Sequence, residues 1–235
     1  MTLGWQEIIV ILVFTLLLFF FQRAKTAKMT DTALGEKALE KEKEKRAINE
    51  FSDPQILSIV HKLESAPRKA THQVRIFQID DRQVNAMSLP GGIVLLTKGM
   101  YQAFQANDLS TDEMAAVIAH EMGHSDLSHS RKRVRDSLVV DTVTNILTGG
   151  RGLLARSAGR LVAKGGLNVY QQKDEFEADQ YAFELLRNTG FAENALETAL
   201  SKFASRERPD VISWLTRHPP TRERISRLSG FRGPA

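Results

Sequence analysis

His120-Glu121-Met122-Gly123-His124 decides the reading of this chain. On a helix, positions i and i+4 lie about 40° apart around the axis, so both imidazoles can approach one cation from the same face. Glu121 is rotated one residue off that line, close enough to reach a water on the cation without displacing it. Zinc lowers the pKa of such a water, and a neighbouring carboxylate can take its proton. The preceding residues read as a buried helix: Ser110 and Glu113 form a capping-box pattern, and Met114 to Ala119 is apolar throughout. The plain alternative is two ordinary helix histidines, one packed and one exposed.

Two histidines need a third protein ligand and an open position. His129 is nearest, but nine residues of continuous helix carry it about 180° away from His120. Leu127 and Ser130 also stand where the extended HExxHxxGxxH pattern needs glycine and histidine. His129 is therefore expected at a surface or helix end, and the third ligand on a second helix. Asp174-Glu175-Phe176-Glu177-Ala178-Asp179 is the obvious supplier. Glu175 and Asp179 share a face, Tyr181, Phe183, Leu185 and Leu186 provide packing, and the small Ala178 suits close approach to the first helix. Glu175 as ligand, with Asp179 holding the far nitrogen of a ligand histidine, would complete the surroundings of the metal. The competing explanation is an acidic first turn that stabilises its own helix.

Upstream of these helices, residues 73–80, 84–89 and 93–97 read as three short strands, with Pro90-Gly91-Gly92 as a turn. Asp53-Pro54 starts a helix with Ile56, Leu57, Val60 and Leu63 on one face. Nearly everything after Thr97 reads as helix, with Gly190 as a terminator. The fold class is thus α+β, mostly helical with a small sheet. The chain has 235 residues and no cysteine, which excludes disulfides, a thiol nucleophile and thiolate metal sites. The formal charge of +4 leaves acidic surfaces open as partners. Residues 131–164 carry eight basic and two acidic residues, either as a packed helical hairpin or as an amphipathic element on anionic lipid. Without aromatic interleaving or a reading motif, they do not point to nucleic acid.

At the N-terminus, Ile8 to Phe21 is apolar except for Thr15. Trp5 and the cluster Arg23, Lys25 and Lys28 flank it, about 27 Å apart at 1.5 Å per residue. We expect one uncleaved transmembrane helix, with the basic flank keeping the body of the protein in the cytoplasm. The domain boundaries expected are 1–30 for the anchor, 31–50 for a charged, solvated stalk and 51–230 for the catalytic domain.

Four blocks in order resemble the M48 peptidase family, a gluzincin group that includes HtpX-like, CAAX prenyl and compact bacterial proteases. They are Asn85-Ala86-Met87-Ser88-Leu89-Pro90-Gly91-Gly92, His120 to His124, Glu175 to Asp179, and His218-Pro219-Pro220 with Glu223-Arg224. The resemblance implies a zincin fold, one Zn2+ per chain on His120, His124 and Glu175, and peptide hydrolysis by a water that Glu121 activates. It makes His218 a candidate donor to the developing oxyanion, with Arg224 supporting it, or else a plug for the metal's open position. Asn85, Ala86, Pro90, Gly91 and Gly92, with the strand after them, would offer an edge to an extended substrate. Two departures stand out: Gln171-Gln172 replaces the Ser-Arg pair of many members, and only one span is apparent. The function expected is a membrane-tethered zinc endopeptidase in protein quality control, cutting unfolded or damaged polypeptides at a bacterial inner membrane. The alternative is a catalytically silent chaperone or binding module on the same fold.

Overall fold

The computed structural model describes residues 4–148, 171–205, 213–219 and 222–231. The chain divides into two compact units, Met1–Thr30 with Lys132–Asn168, and Asp31–Arg131 with Val169–Ala235.

In the first unit, α1 (Trp5–Ala27) is a single helix with Val10, Leu17 and Phe21 exposed. Among the described residues, however, no helix is long and apolar enough to cross a membrane. This overturns the single-pass anchor and the bilayer localisation and lipid partner built on it. The physical reason is length. The apolar run Ile8 to Phe21, interrupted only by Thr15, extends about 21 Å at 1.5 Å per residue, against a hydrocarbon core of about 30 Å. Gln6, Glu7, Gln22 and Arg23 bound it and cannot stand in for hydrocarbon. The sidedness and the nearby membrane substrates were inferred from the anchor and fall with it. The part of the basic segment after Thr148, with Arg151, Arg156, Arg160 and Lys164, lies outside the described residues.

The second unit holds the site. It begins with α2 (Asp31–Lys43), which buries Leu34, Gly35, Ala38 and Leu39. Its other face carries the alternating charges that suggested a solvated stalk. Four strands follow in one mixed sheet: β1 (Ile48–Glu50), β2 (Arg75–Ile79), β3 (Ala86–Leu89) and β4 (Ile93–Thr97), in the order β1-β2-β4-β3. β4 runs parallel to β2 and antiparallel to β3, and β1 runs antiparallel to β2. The run Ile93 to Leu96 is apolar without alternation because the strand is buried on both faces. β4 is therefore interior, the edges are β1 and β3, and the edge at this turn is the strand before it rather than after it. β3 and the turn are themselves buried, and α2 packs across β3. A side chain on Gly35 would collide with the carbonyl of Pro90, so a glycine lets helix and turn meet.

Helices enclose the sheet. In α3 (Pro54–Glu64), Asp53 accepts from the amides of Gln55 and Ile56 at 2.8 and 3.1 Å, the cap its Asp-Pro pair predicts. α4 (Lys98–Gln105) leads to α5 (Thr111–Asp126), where Ser110 and Glu113 form the reciprocal capping box. Every residue of α5 from Glu113 to Ser125 is buried, as a helix apolar around most of its circumference must be. α6 (His129–Thr148) follows, then α7 (Gln172–Thr189), α8 (Ala195–Ala204), α9 (Ser213–Arg217) and α10 (Arg222–Gly230). Gly190 ends α7 in the left-handed region, φ 68°. The central helix α5 lies between β3 and β4 on one side and α7 and α8 on the other. It approaches α7 closely at Gly123, where an added Cβ would sit 3.2 Å from the Cα and carbonyl oxygen of Ala178.

Candidate metal centre

The close approach of α5 and α7 brings together the side chains that the two motifs contribute. His120 and His124, one turn apart on α5, point their Nε2 atoms at each other, 3.1 Å apart. Glu175, in the first turn of α7, places Oε2 3.5 Å from His120 Nε2 and Oε1 3.3 Å from His124 Nε2. His218, between α9 and α10, adds Nδ1 at 3.1 Å from His120 Nε2 and 2.9 Å from Glu175 Oε1. The ligand atoms of these four buried residues all lie within 4.8 Å of one another.

The donor set fits a cation. Ligands at 2.0–2.1 Å in a tetrahedron are about 3.3 Å apart, which is the spacing found here. The outward nitrogen of His120, Nδ1, lies 3.0 Å from Asp179 Oδ1. A hydrogen on Nδ1 would face that carboxylate and leave the lone pair of Nε2 turned inward. Two inward nitrogens beside a carboxylate, all buried, suit a positive charge between them, whether a metal ion or a proton.

Without a cation, the same carboxylates favour a proton on one of these rings. Burial would push the His120 imidazolium down, but the carboxylates of Asp179 and Glu175 outweigh it and raise its pKa to about 9. Burial dominates at His124 and holds its pKa well below the usual histidine value. Glu175 is held far below the ordinary carboxylate range, because His218, His120 and His124 outweigh its own burial.

Glu121 faces the same space from α5. Its Oε1 accepts from the indole Nε1 of Trp214 at 3.0 Å and lies 3.2 Å from His218 Nε2. Its Oε2 is buried with no hydrogen-bond partner. Arg224, expected to support His218, forks onto Asp179 through Nε at 2.8 Å and Nη2 at 2.7 Å. Its Nη1 is 2.7 Å from Glu175 Oε2 and donates to the carbonyl of Pro219 at 3.1 Å. It is 1% exposed, so its charge serves the carboxylates rather than the surface. Pro220 lies outside the described residues.

Of the residues expected at a substrate edge, Asn85, Ala86 and Pro90 belong to or flank β3, and Gly91 and Gly92 form the turn at φ 78° and 80°. The turn is pinned to α5: Gly92 N donates to Ser125 Oγ at 3.0 Å, and that hydroxyl donates to the Leu89 carbonyl at 3.3 Å. Two residues near the ligands were not foreseen. Trp214 carries no motif, and only its lone indole among apolar neighbours hints at a buried acceptor. His129 was expected at the surface, yet it is only 8% exposed and its Nδ1 is 3.1 Å from His124 Nδ1. The signal that could have found it is the polar break Ser125 to Ser128, which interrupts the helix before it.

Residues 51–232 match the family described as Peptidase family M48. The chain belongs to the M48 peptidase family. It is 30% identical over 152 residues to the metalloprotease LoiP of Escherichia coli (strain K12), an alignment covering 63% of this chain and 58% of LoiP. To the metalloprotease YcaL of the same organism it is 28% identical over 149 residues, covering 62% of this chain and 57% of YcaL. To the mitochondrial metalloendopeptidase OMA1 of Schizosaccharomyces pombe it is 26% identical over 152 residues, covering 64% and 44%. The chain thus spans less than two thirds of each of these M48 relatives. Within the matched region His120, His124 and Glu175 form a buried cluster able to chelate a metal ion.

Proposed function

We propose that this M48 chain is a zinc endopeptidase, with His120, His124 and Glu175 holding one Zn2+ and Glu121 acting as the general base. The observation that carries the reading is the free Oε2 of Glu121, buried beside a converging donor set. When bound, zinc supplies a Lewis acid that polarises a peptide carbonyl and acidifies a water. Glu121 Oε2 takes a proton from the attacking water and returns it to the departing amine nitrogen, while Trp214 Nε1 holds Oε1 still. Asp179 keeps His120 in the ligating tautomer, and Arg224 balances the charge of the two carboxylates behind it.

His218 has a place in the same proposal. With Nδ1 among the ligand atoms and the ring fully buried, it would add a fourth ligand to a bound metal in this arrangement. Hydrolysis would then require His218 to move off the metal, leaving Nε2 able to donate to the oxyanion. Intact His120, Glu121, His124 and Glu175 speak against a silent binding module on this fold.

The deciding experiment is Glu121→Gln. The amide keeps the shape and the contact with Trp214 but cannot accept the proton. Zinc content should stay at wild-type level while hydrolysis of an unfolded protein falls about 10²- to 10⁴-fold. Near-normal turnover by the zinc-loaded variant would remove Glu121 from the mechanism.

A further inference from the structure

His124 has two ring nitrogens, and the cluster uses one. Nε2 faces the ligands, while Nδ1 lies 3.1 Å from Nδ1 of His129. On the far side of His129, Nε2 is 3.0 Å from Glu177 Oε2. His129 reaches this place because α5 stops. Asp126 is its last residue, and Ser128 turns the chain through the left-handed region at φ 64°, so that His129 opens α6 against His124.

The protons along this line can be assigned. A neutral imidazole that ligates through Nε2 carries its hydrogen on Nδ1. The Nδ1–H of His124 then needs an acceptor, and His129 Nδ1 lies in reach at 3.1 Å. His129 must in turn carry its hydrogen on Nε2, where the Glu177 carboxylate accepts it. Each nitrogen has one role and each hydrogen one acceptor.

We propose that His129 and Glu177 are positioning residues that hold the ring and tautomer of His124, as Asp179 does for His120. The proposal rests on the metalloprotease reading and adds its second support. The same geometry bears on a competing use of these groups. His129, Asp174 and Glu177 lie close enough together to hold a cation of their own. A cation on His129 Nε2 would force the hydrogen onto Nδ1, leaving two N–H groups facing each other at 3.1 Å. The relay therefore excludes a second cation while the first site is filled.

Zinc affinity of the full chain, measured by competition with a chromogenic chelator, tests this together with proton NMR of the Co(II)-substituted protein. In wild type, the ring N–H protons of His120 and His124 should appear as two shifted, slowly exchanging signals, beside that of His218 where it also ligates. His129→Ala should weaken zinc by about 10- to 100-fold and cost one of the two signals. His129→Asn puts an amide oxygen near the place of Nδ1 and should recover most of the affinity and the lost signal. Glu177→Ala, at the half-exposed end of the relay, should show a smaller loss in the same direction. Melting of the metal-free forms separates these effects from general unfolding, which Asn would not rescue.

Unchanged zinc affinity with both signals intact in His129→Ala overturns the proposal. Two zinc ions per wild-type chain, the second lost in Glu177→Ala, overturn it in favour of a second cation site. A wild-type chain that binds no zinc overturns the metalloprotease reading itself and is told apart by that first measurement.

Discussion

Two buried arginine–aspartate forks lie on either side of the contact between α5 and α7, with nearly the same geometry. Arg68 donates to Asp126 through Nε at 3.0 Å and Nη2 at 2.8 Å, and Arg224 donates to Asp179 through the same atoms at 2.8 and 2.7 Å. In both aspartates burial pushes the carboxyl upward, and the hydrogen-bonding partners outweigh it and hold it below its usual value. The difference lies in what takes the remaining lone pairs. Asp126 accepts from the Tyr181 hydroxyl at 2.5 Å and faces His72 Nε2 at 3.3 Å. Arg68 also donates to Glu64, whose carboxylate accepts from the amide of Val74 ahead of β2. That fork ties the end of α5 to α7 and the sheet. Asp179 instead faces the outer nitrogen of His120. The geometry of a fork does not declare its task, whereas the third group on the carboxylate does.

Breaking a buried pair leaves one charge uncompensated, at a cost of about 3–5 kcal/mol. Asp126→Asn and Asp179→Asn should therefore both lower the denaturant midpoint of the metal-free protein by a loss of that order. This is the largest effect expected and the one the two forks share. Zinc should then separate them. Asp179→Asn, which weakens the hold on His120 Nδ1–H, should loosen zinc by about 10- to 100-fold. Asp126→Asn should leave the zinc affinity of the folded protein at its wild-type value. Equal losses of zinc affinity in the two variants, measured by chelator competition under folding conditions, would break the distinction.

The legible and illegible parts of the site differ in how far their contacts reach along the chain. His120, His124, Glu175 and Asp179 each sit in a local helical pattern, and a rotation of 100° per residue places them on shared faces. The caps at Asp53 and Ser110 and the stop at Gly190 are local for the same reason. The rotation argument failed at His129 because it assumed one helix from residue 120 to 129, whereas Ser128 changes the direction of the chain. Arg224 failed differently. Its motif neighbours suggested support for His218, but only the packed structure shows two buried carboxylates that claim its donors. The N-terminal run misled through its aromatic and basic flanks, which fit a bilayer boundary while the apolar length between them does not. In residues 31–50 the charged positions drew attention from Leu34, Ala38 and Leu39, whose spacing makes a narrow buried stripe.

Trp214 gives the smallest expected effect and sharpens the same contrast, since it too supports a functional carboxylate through a single donor. Its indole is fully buried, 5.4 Å from the ring of Phe203 and 5.8 Å from that of His120 by centroid. Trp214→Phe keeps an aromatic ring in this packing and removes the N–H that holds Glu121 Oε1. A hydrogen bond to a charged acceptor contributes about 1.5–3 kcal/mol. Only part of that should appear in turnover, because the carboxylate can rotate and keep its other neighbours, so kcat should fall by roughly 10-fold. Zinc affinity should not move, since Trp214 touches no outward ligand nitrogen, and that separates its effect from those of Asp179→Asn and His129→Ala. Unchanged turnover in a zinc-loaded Trp214→Phe would mean that packing alone orients Glu121, leaving the indole hydrogen bond without a part in the chemistry.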